Sequence, residues 1–139
     1  MFEEGIGSWK TIVFVQSVLR FYIADKRGNL MRITNYNFKL WFLDSQKERM
    51  DYNSVREKSI EFLSVTGNTI VGEAHHIFDG KPECNTGVFL LSTSHLCWHT
   101  FPEHSYISFS YSSCSKDVKT LGEIVEISSK IFGSDGFSM

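Results

Sequence analysis

From Gly87 to Cys114 the hydrophobic pattern resets twice within a short stretch, and this limits the folds open to the chain. Gly87 to Ser92 is a continuous apolar run, the pattern of a strand covered on both faces or of a central strand. His95 to Thr100 alternates with period two, sending His95, Cys97 and His99 one way and Leu96 and Trp98 the other. Pro102 breaks that run. Tyr106 to Cys114 alternates again, with Ile107, Phe109 and Tyr111 on one face and Ser108, Ser110 and Ser112 on the opposite one.

Two segments have helical character. Ser54 to Val65 opens with Ser54 and Glu57 at capping-box spacing and carries Val55, Ile60, Phe62 and Leu63 on a rough apolar face. Gly67 is its expected stop. Val118 to Phe132 places Leu121, Ile124, Ile127 and Ile131 along one side, with Gly133 as the stop. Asn68 to Phe78 reads as a strand with His75 and His76 near its end, and Asp79 to Thr86 as a loop marked by Gly80, Pro82 and Asn85. Phe38 to Leu43 reads as a buried strand and Arg27-Gly28-Asn29 as a turn, while periodicity does not separate helix from strand over Ile12 to Tyr22. Strands in succession with two helices predict an α+β fold, a two-layer sandwich of an antiparallel sheet with helices on one face. Internal repeats, linkers and low-complexity tracts are not evident.

Composition narrows the function classes. A formal net charge of -2 gives no electrostatic reason to expect nucleic acid as a partner. Three cysteines, Cys84, Cys97 and Cys114, make an odd count without a CxxC pair, which argues against a secreted disulfide framework. The apolar segment Thr11 to Ile23 is interrupted by Gln16, Ser17 and Arg20 and falls short of the about 20 residues a bilayer span requires. Glu3 and Glu4 precede it where a signal peptide would carry positive charge. A soluble cytoplasmic protein without membrane partners is expected.

The possible chemistry concentrates in Leu90 to Glu103, LLSTSHLCWHTFPE. Three readings compete there. In the first, His95, Cys97 and His99 are ordinary residues of a half-buried strand face, since cysteine is often merely core. Alternatively, an H-x-C-x-H alternation offers three nitrogen and sulfur ligands suited to zinc. However, strand geometry separates His95 from His99 by about 13 Å at the base, too far to share one ion unaided. The third reading is covalent chemistry at Ser94. A serine hydroxyl on a strained bend can attack the preceding carbonyl when a base is near. The amide becomes an ester, and removal of the serine α-proton then eliminates it. Dehydroalanine results and hydrolyses to a pyruvoyl group at a new N-terminus. Ser94 lies where the apolar run meets the histidine-rich strand, and His99 is a candidate base.

The residues from Leu90 to Cys114 resemble the prokaryotic class of S-adenosylmethionine decarboxylases. That family shows a serine-histidine pair, then a histidine-threonine-aromatic-proline-glutamate string, then a cysteine ending the next strand. Here these are Ser94-His95, His99-Thr100-Phe101-Pro102-Glu103 and Cys114, with matching spacing. Weaker similarity reaches back to His76-Ile77-Phe78 and Thr86-Gly87 and forward over the last helix. The resemblance implies an S-adenosylmethionine decarboxylase-like domain over residues 36–139, preceded by an extension, residues 1–35, of unknown role.

The resemblance also implies roles. Ser94 would become the pyruvoyl cofactor after cleavage between Thr93 and Ser94, and no metal would be needed. His99 would take the α-proton during processing, with Thr86, at a family serine, assisting. Cys114 would return a proton to the substrate carbon after carbon dioxide leaves. Phe78 and Phe101 would sandwich the adenine of S-adenosylmethionine, and Glu103 would bind its ribose hydroxyls. The pyruvoyl carbonyl would form a Schiff base with the substrate amine and act as an electron sink. The product would feed polyamine (spermidine) synthesis, and the enzyme would be a homodimer with sites at the subunit interface, Phe78 reaching across. This chain departs from the family at Thr93 (usually glutamate), Phe101 (tryptophan), Ser105 (glycine), Ser110 (aspartate) and Ser115 (glycine). These departures bear on substrate identity more than on pyruvoyl formation. Arginine or ornithine is therefore the alternative substrate. An unprocessed member that binds a nucleoside ligand or a related subunit is the alternative of a different class.

Overall fold

The structure is a computed structural model that describes the backbone of residues 11–24, 30–43, 49–114 and 119–133, with side chains from residue 33 onward. Six strands are present: β1 (Thr11–Ala24), β2 (Leu30–Phe42), β3 (Ile70–Phe78), β4 (Cys84–Leu91), β5 (His95–Phe101) and β6 (Tyr106–Ser113). Two helices accompany them, α1 (Tyr52–Val65) and α2 (Leu121–Ile131). The strands form one antiparallel sheet in the order β1-β2-β6-β5-β4-β3. The fold is thus the expected α+β sandwich. β1 resolves the ambiguous N-terminal segment as a strand, and β2 begins eight residues before Phe38, running without a break through residue 36. The turn signal at Arg27-Gly28-Asn29 and the start of the last predicted helix at Val118 lie outside the described residues.

Alternation decides which face is covered. Thr34, Tyr36, Phe38, Leu40 and Phe42 of β2 are buried together with Ile107, Phe109 and Tyr111 of β6. Leu96 and Trp98 of β5 and Phe89 and Leu91 of β4 continue that buried surface. Rings from neighbouring strands stack across it, Tyr36 on Tyr111 at 5.6 Å and Phe38 on Phe109 at 5.2 Å. The helices cover this side with Val55, Phe62 and Leu63 of α1 and Ile124 and Val125 of α2. β4 is the interior strand that its apolar run allowed, paired with β3 and β5, but it is not covered on both faces, for Leu90 on its other side is 52% exposed.

Local chemistry fixes the helix ends. Ser54 does not cap α1; Asp51 does, its carboxylate accepting from the Ser54 amide at 3.1 Å. α1 stops where expected, with Gly67 in the left-handed region at φ +77 and the Asn68 amide reaching back to the Leu63 carbonyl at 2.9 Å. α2 starts at a reciprocal capping box between Thr120 and Glu123. Hydrogen bonds from the Thr120 amide and the Thr120 hydroxyl hold the Glu123 carboxyl below its usual range. Among the described residues, no helix is long and apolar enough to cross a membrane.

The expected loop from Asp79 to Thr86 is shorter, because β4 begins at Cys84. Buried Asn85 is the reason. Its amide donates to Thr100 Oγ1 at 2.9 Å, its side-chain nitrogen to the Met50 carbonyl at 3.0 Å, and its side-chain oxygen accepts from the Trp98 indole at 2.8 Å. A sequence reading marks asparagine as a turn former, but here tertiary partners satisfy it inside a strand. Gly87 is needed beside it, since a Cβ there would meet the Trp98 ring at 2.3 Å.

Candidate active site

The helices leave the opposite face of the sheet uncovered by any described element, and the register lays the candidate residues across it in rows. One row runs His76, Thr86, His99, Ser108 and Lys39. The next, towards the 3-10 turn that follows β5, carries Phe78 beside Cys84 and Phe101 beside Tyr106 and Trp41. In the other direction lie Val88, Cys97 and Ser110, then Leu90, His95 and Ser112. The period-two assignment of His95, Cys97 and His99 to one side is the observed one.

At one end of β5 sits the β4–β5 turn. The Leu91 amide donates to the Ser94 carbonyl at 2.9 Å, closing the hairpin over Ser92 and Thr93. The Ser94 hydroxyl oxygen is buried and has no hydrogen-bond partner among the described residues. The Cys114 thiol, arriving from the end of β6, donates to the Thr93 carbonyl oxygen at 3.0 Å. A nucleophile, the carbonyl that precedes it and a donor to that carbonyl thus share one turn. An unbonded hydroxyl is free to attack, and a donor on the carbonyl oxygen withdraws electrons from the carbon attacked.

At the other end of β5 lies a second cluster. His99 pairs with Thr86, and its ring lies 4.6 Å from Phe101 and 5.8 Å from Phe78, centroid to centroid. The Thr86 hydroxyl is committed to the Trp98 carbonyl at 2.8 Å. Five residues of extended chain, about 16 Å at strand rise, separate His99 from Ser94. A single chain therefore does not bring this base to the serine, and the expected pair is divided between the two ends of the strand.

Phe78 is 41% exposed on the edge strand, and Phe101 stacks on Tyr106 at 4.7 Å. Glu103 is exposed in the 3-10 turn Pro102–His104 that follows. That turn closes at Ser105 with φ +61, which explains in backbone terms why glycine suits the position. Tyr106, Trp41 and Lys39 were not singled out from sequence. The Trp41 ring lies 4.6 Å from Tyr106, and the Lys39 ammonium lies 4.5 Å above the Tyr106 ring. Only strand register could have revealed them. Burial pushes the Cys97 thiol pKa up, keeping it protonated and a poor nucleophile beside the site. Among the described residues, no group of three or more His, Cys, Asp or Glu is arranged to hold a metal ion.

Comparison with known proteins agrees with the motif. A family profile described as S-adenosylmethionine decarboxylase matches residues 42–139. The S-adenosylmethionine decarboxylase proenzyme of Thermosipho melanesiensis is 38% identical over 78 residues, covering 55% of this chain and 58% of that protein. The proenzyme of Methanococcus maripaludis is 32% identical over 89 residues, covering 64% and 70%. The match thus spans a little over half the length of the first of these relatives. The crystal structure of the adenosylmethionine decarboxylase from Aquifex aeolicus superposes with a TM-score of 0.60 over 76% of this chain and 83% of that one; at 20% identity it speaks for the fold. With the profile running from the end of β2 through both helices and the stretch from Phe78 to Cys114, the chain belongs to the S-adenosylmethionine decarboxylase family.

Proposed function

We propose that the protein is a self-processing, pyruvoyl-dependent decarboxylase of S-adenosylmethionine that works in the cytoplasm and feeds spermidine synthesis, with its catalytic domain in residues 36–139. The observation that carries this reading is the β4–β5 turn, where the Ser94 hydroxyl is buried without a hydrogen-bond partner among the described residues while Cys114 holds the Thr93 carbonyl oxygen at 3.0 Å. The residues there fit a pyruvoyl group made from Ser94. Ser94 Oγ attacks the Thr93 carbonyl carbon, the Thr93–Ser94 C–N bond breaks, and an ester replaces the amide. His99 then takes the Ser94 α-proton and the Thr93 carboxylate leaves. Hydrolysis of the resulting dehydroalanine releases ammonia. Once formed, the group supplies an electron sink for the α-carbon of a bound amino acid.

The chain's own residues divide the remaining work. Cys114 returns a proton to the substrate carbon after carbon dioxide departs. Phe78 and Phe101 offer faces to the adenine, and Glu103 accepts from the ribose hydroxyls. Thr86 lies in the same row as His99 and assists it. The separation of Ser94 from His99 supports a homodimer. A two-fold axis through the open face exchanges the two ends of β5, so that the partner's His99 meets Ser94. The half-buried apolar side chains of Val88, Trp41 and Phe101 on that face give such an interface its contact.

The test is intact-mass analysis of purified protein before and after borohydride treatment in the presence of S-adenosylmethionine. Two chains, the C-terminal one blocked and trapping a substrate adduct on reduction, are expected. A single intact mass after long incubation would refute the enzyme in this form.

A further inference from the structure

Cys84 takes no part in the chemistry above, yet it pairs with Phe78 in the site row and lies against the ring proposed as the base. Its Sγ lies 3.2 Å from the Thr100 carbonyl oxygen and 3.7 Å from His99 Nε2. A thiol has one hydrogen, and a carbonyl oxygen can only accept. The Thr100 carbonyl is therefore the natural taker of the Cys84 proton. The sulfur then faces the imidazole with lone pairs only, and the short approach to Nε2 is favourable when that nitrogen carries hydrogen. A neutral imidazole has one N–H, so the second nitrogen, Nδ1, is left with the basic lone pair.

We propose that Cys84 is a positioning residue that fixes the tautomer of His99, holding the proton on Nε2 and presenting Nδ1 as the base. This rests on His99 acting in processing and adds which of its atoms does so. The thiol of Cys84 reacts with nothing. It spends its hydrogen on the Thr100 carbonyl and its lone pair on the ring. Both contacts come from the first residue of β4, and buried Asn85 next in sequence clamps that strand to Thr100, so the arrangement is held on both sides.

The experiment uses the full chain carrying Ser94→Ala, which stays uncut, labelled with 15N at histidine and observed at alkaline pH, where the imidazole ring is neutral. Long-range 15N–1H correlations are expected to show His99 with Nε2 protonated. Adding Cys84→Ala should move the shifts towards a mixture of tautomers, and Cys84→Ser should restore the original pattern. A His99 protonated at Nδ1, or a pattern indifferent to Cys84→Ala, would overturn the assignment. In chains that keep Ser94, Cys84→Ala should slow splitting about 2- to 10-fold, the worth of one ordinary hydrogen bond, with rescue by serine. If wild type never splits, the processing function fails, and the nitrogen shifts alone still decide the tautomer.

Discussion

The Cys114 thiol and the Thr93 carbonyl oxygen, 3.0 Å apart, join the end of β6 to the turn before β5. Thr93 is the residue whose carbonyl Ser94 would attack, so the contact predicts a role for Cys114 before any substrate arrives. Cleavage should yield a C-terminal piece of 46 residues, Ser94 to Met139, and Ser94→Ala should stay whole. Cys114→Ala should split about 2- to 10-fold more slowly than wild type, the cost of one donor, and should decarboxylate poorly for want of its proton donor. Timed gels and a carbon dioxide assay on the same samples read both effects. Normal turnover by the alanine variant would remove Cys114 from the mechanism.

Separation of Ser94 and His99 along β5 makes a sharper demand. Ser94→Ala and His99→Ala should each remain a single chain when made alone. Co-expressed with different tags, they should form mixed dimers in which the His99→Ala chain is cut, because its Ser94 meets the intact histidine of the other subunit. The Ser94→Ala chain should stay whole. Absence of any cleavage in isolated mixed dimers would place the base elsewhere.

How much of this was legible depends on the reach of each interaction. The inward set Leu96, Trp98, Ile107, Phe109 and Tyr111 follows from alternation, and the left-handed stop at Gly67 from a local rule. Coverage of β4 did not follow, because an unbroken apolar run does not say whether a second layer exists. Asn85 was misplaced for the same reason, since its partners Met50, Thr100 and Trp98 are remote in sequence. Ser94, His99 and Cys114 stood out as a string, but a string carries no distances. The strand that makes it periodic also holds its two ends apart. Lys39, Trp41, Tyr106 and Cys84 join the site only through register, which no local pattern displays.

Substrate identity is tested at Phe101. If its ring stacks on adenine, Phe101→Ala should remove about 1–3 kcal/mol of binding, by analogy with base–aromatic stacking. That is a loss of about 5- to 150-fold in kcat/KM when the contact acts equally in ground and transition states. Glu103→Gln should weaken binding through the ribose hydroxyls. Neither change should slow chain cleavage, which involves no substrate. Carbon dioxide release from S-adenosylmethionine, ornithine and arginine is measured side by side. Release from an amino acid alone, with S-adenosylmethionine inert, would reject the nucleoside site and leave the pyruvoyl group intact.

A last prediction concerns the layer beneath the site. Ser59 of α1 and Ser128 of α2 both line a narrow space against Phe38, Leu96 and Phe109, with no room for a water molecule. Their hydroxyls differ. Ser128 donates to the Ile124 carbonyl at 2.8 Å, whereas the fully buried Ser59 oxygen has no partner among the described residues. An unmade bond costs the desolvation of the group, about 1–3 kcal/mol, while a made one contributes about 1 kcal/mol. Alanine is also the better helix former at either position. Ser59→Ala should therefore raise stability by about 1 kcal/mol, allowing for the small void the lost oxygen leaves. Ser128→Ala should be close to neutral, losing its bond and gaining propensity. Denaturant melts of both variants, made in the uncut Ser94→Ala background so that the chain unfolds as one piece, compare them directly. A Ser59→Ala variant less stable than Ser128→Ala would mean that the Ser59 hydroxyl is satisfied in solution.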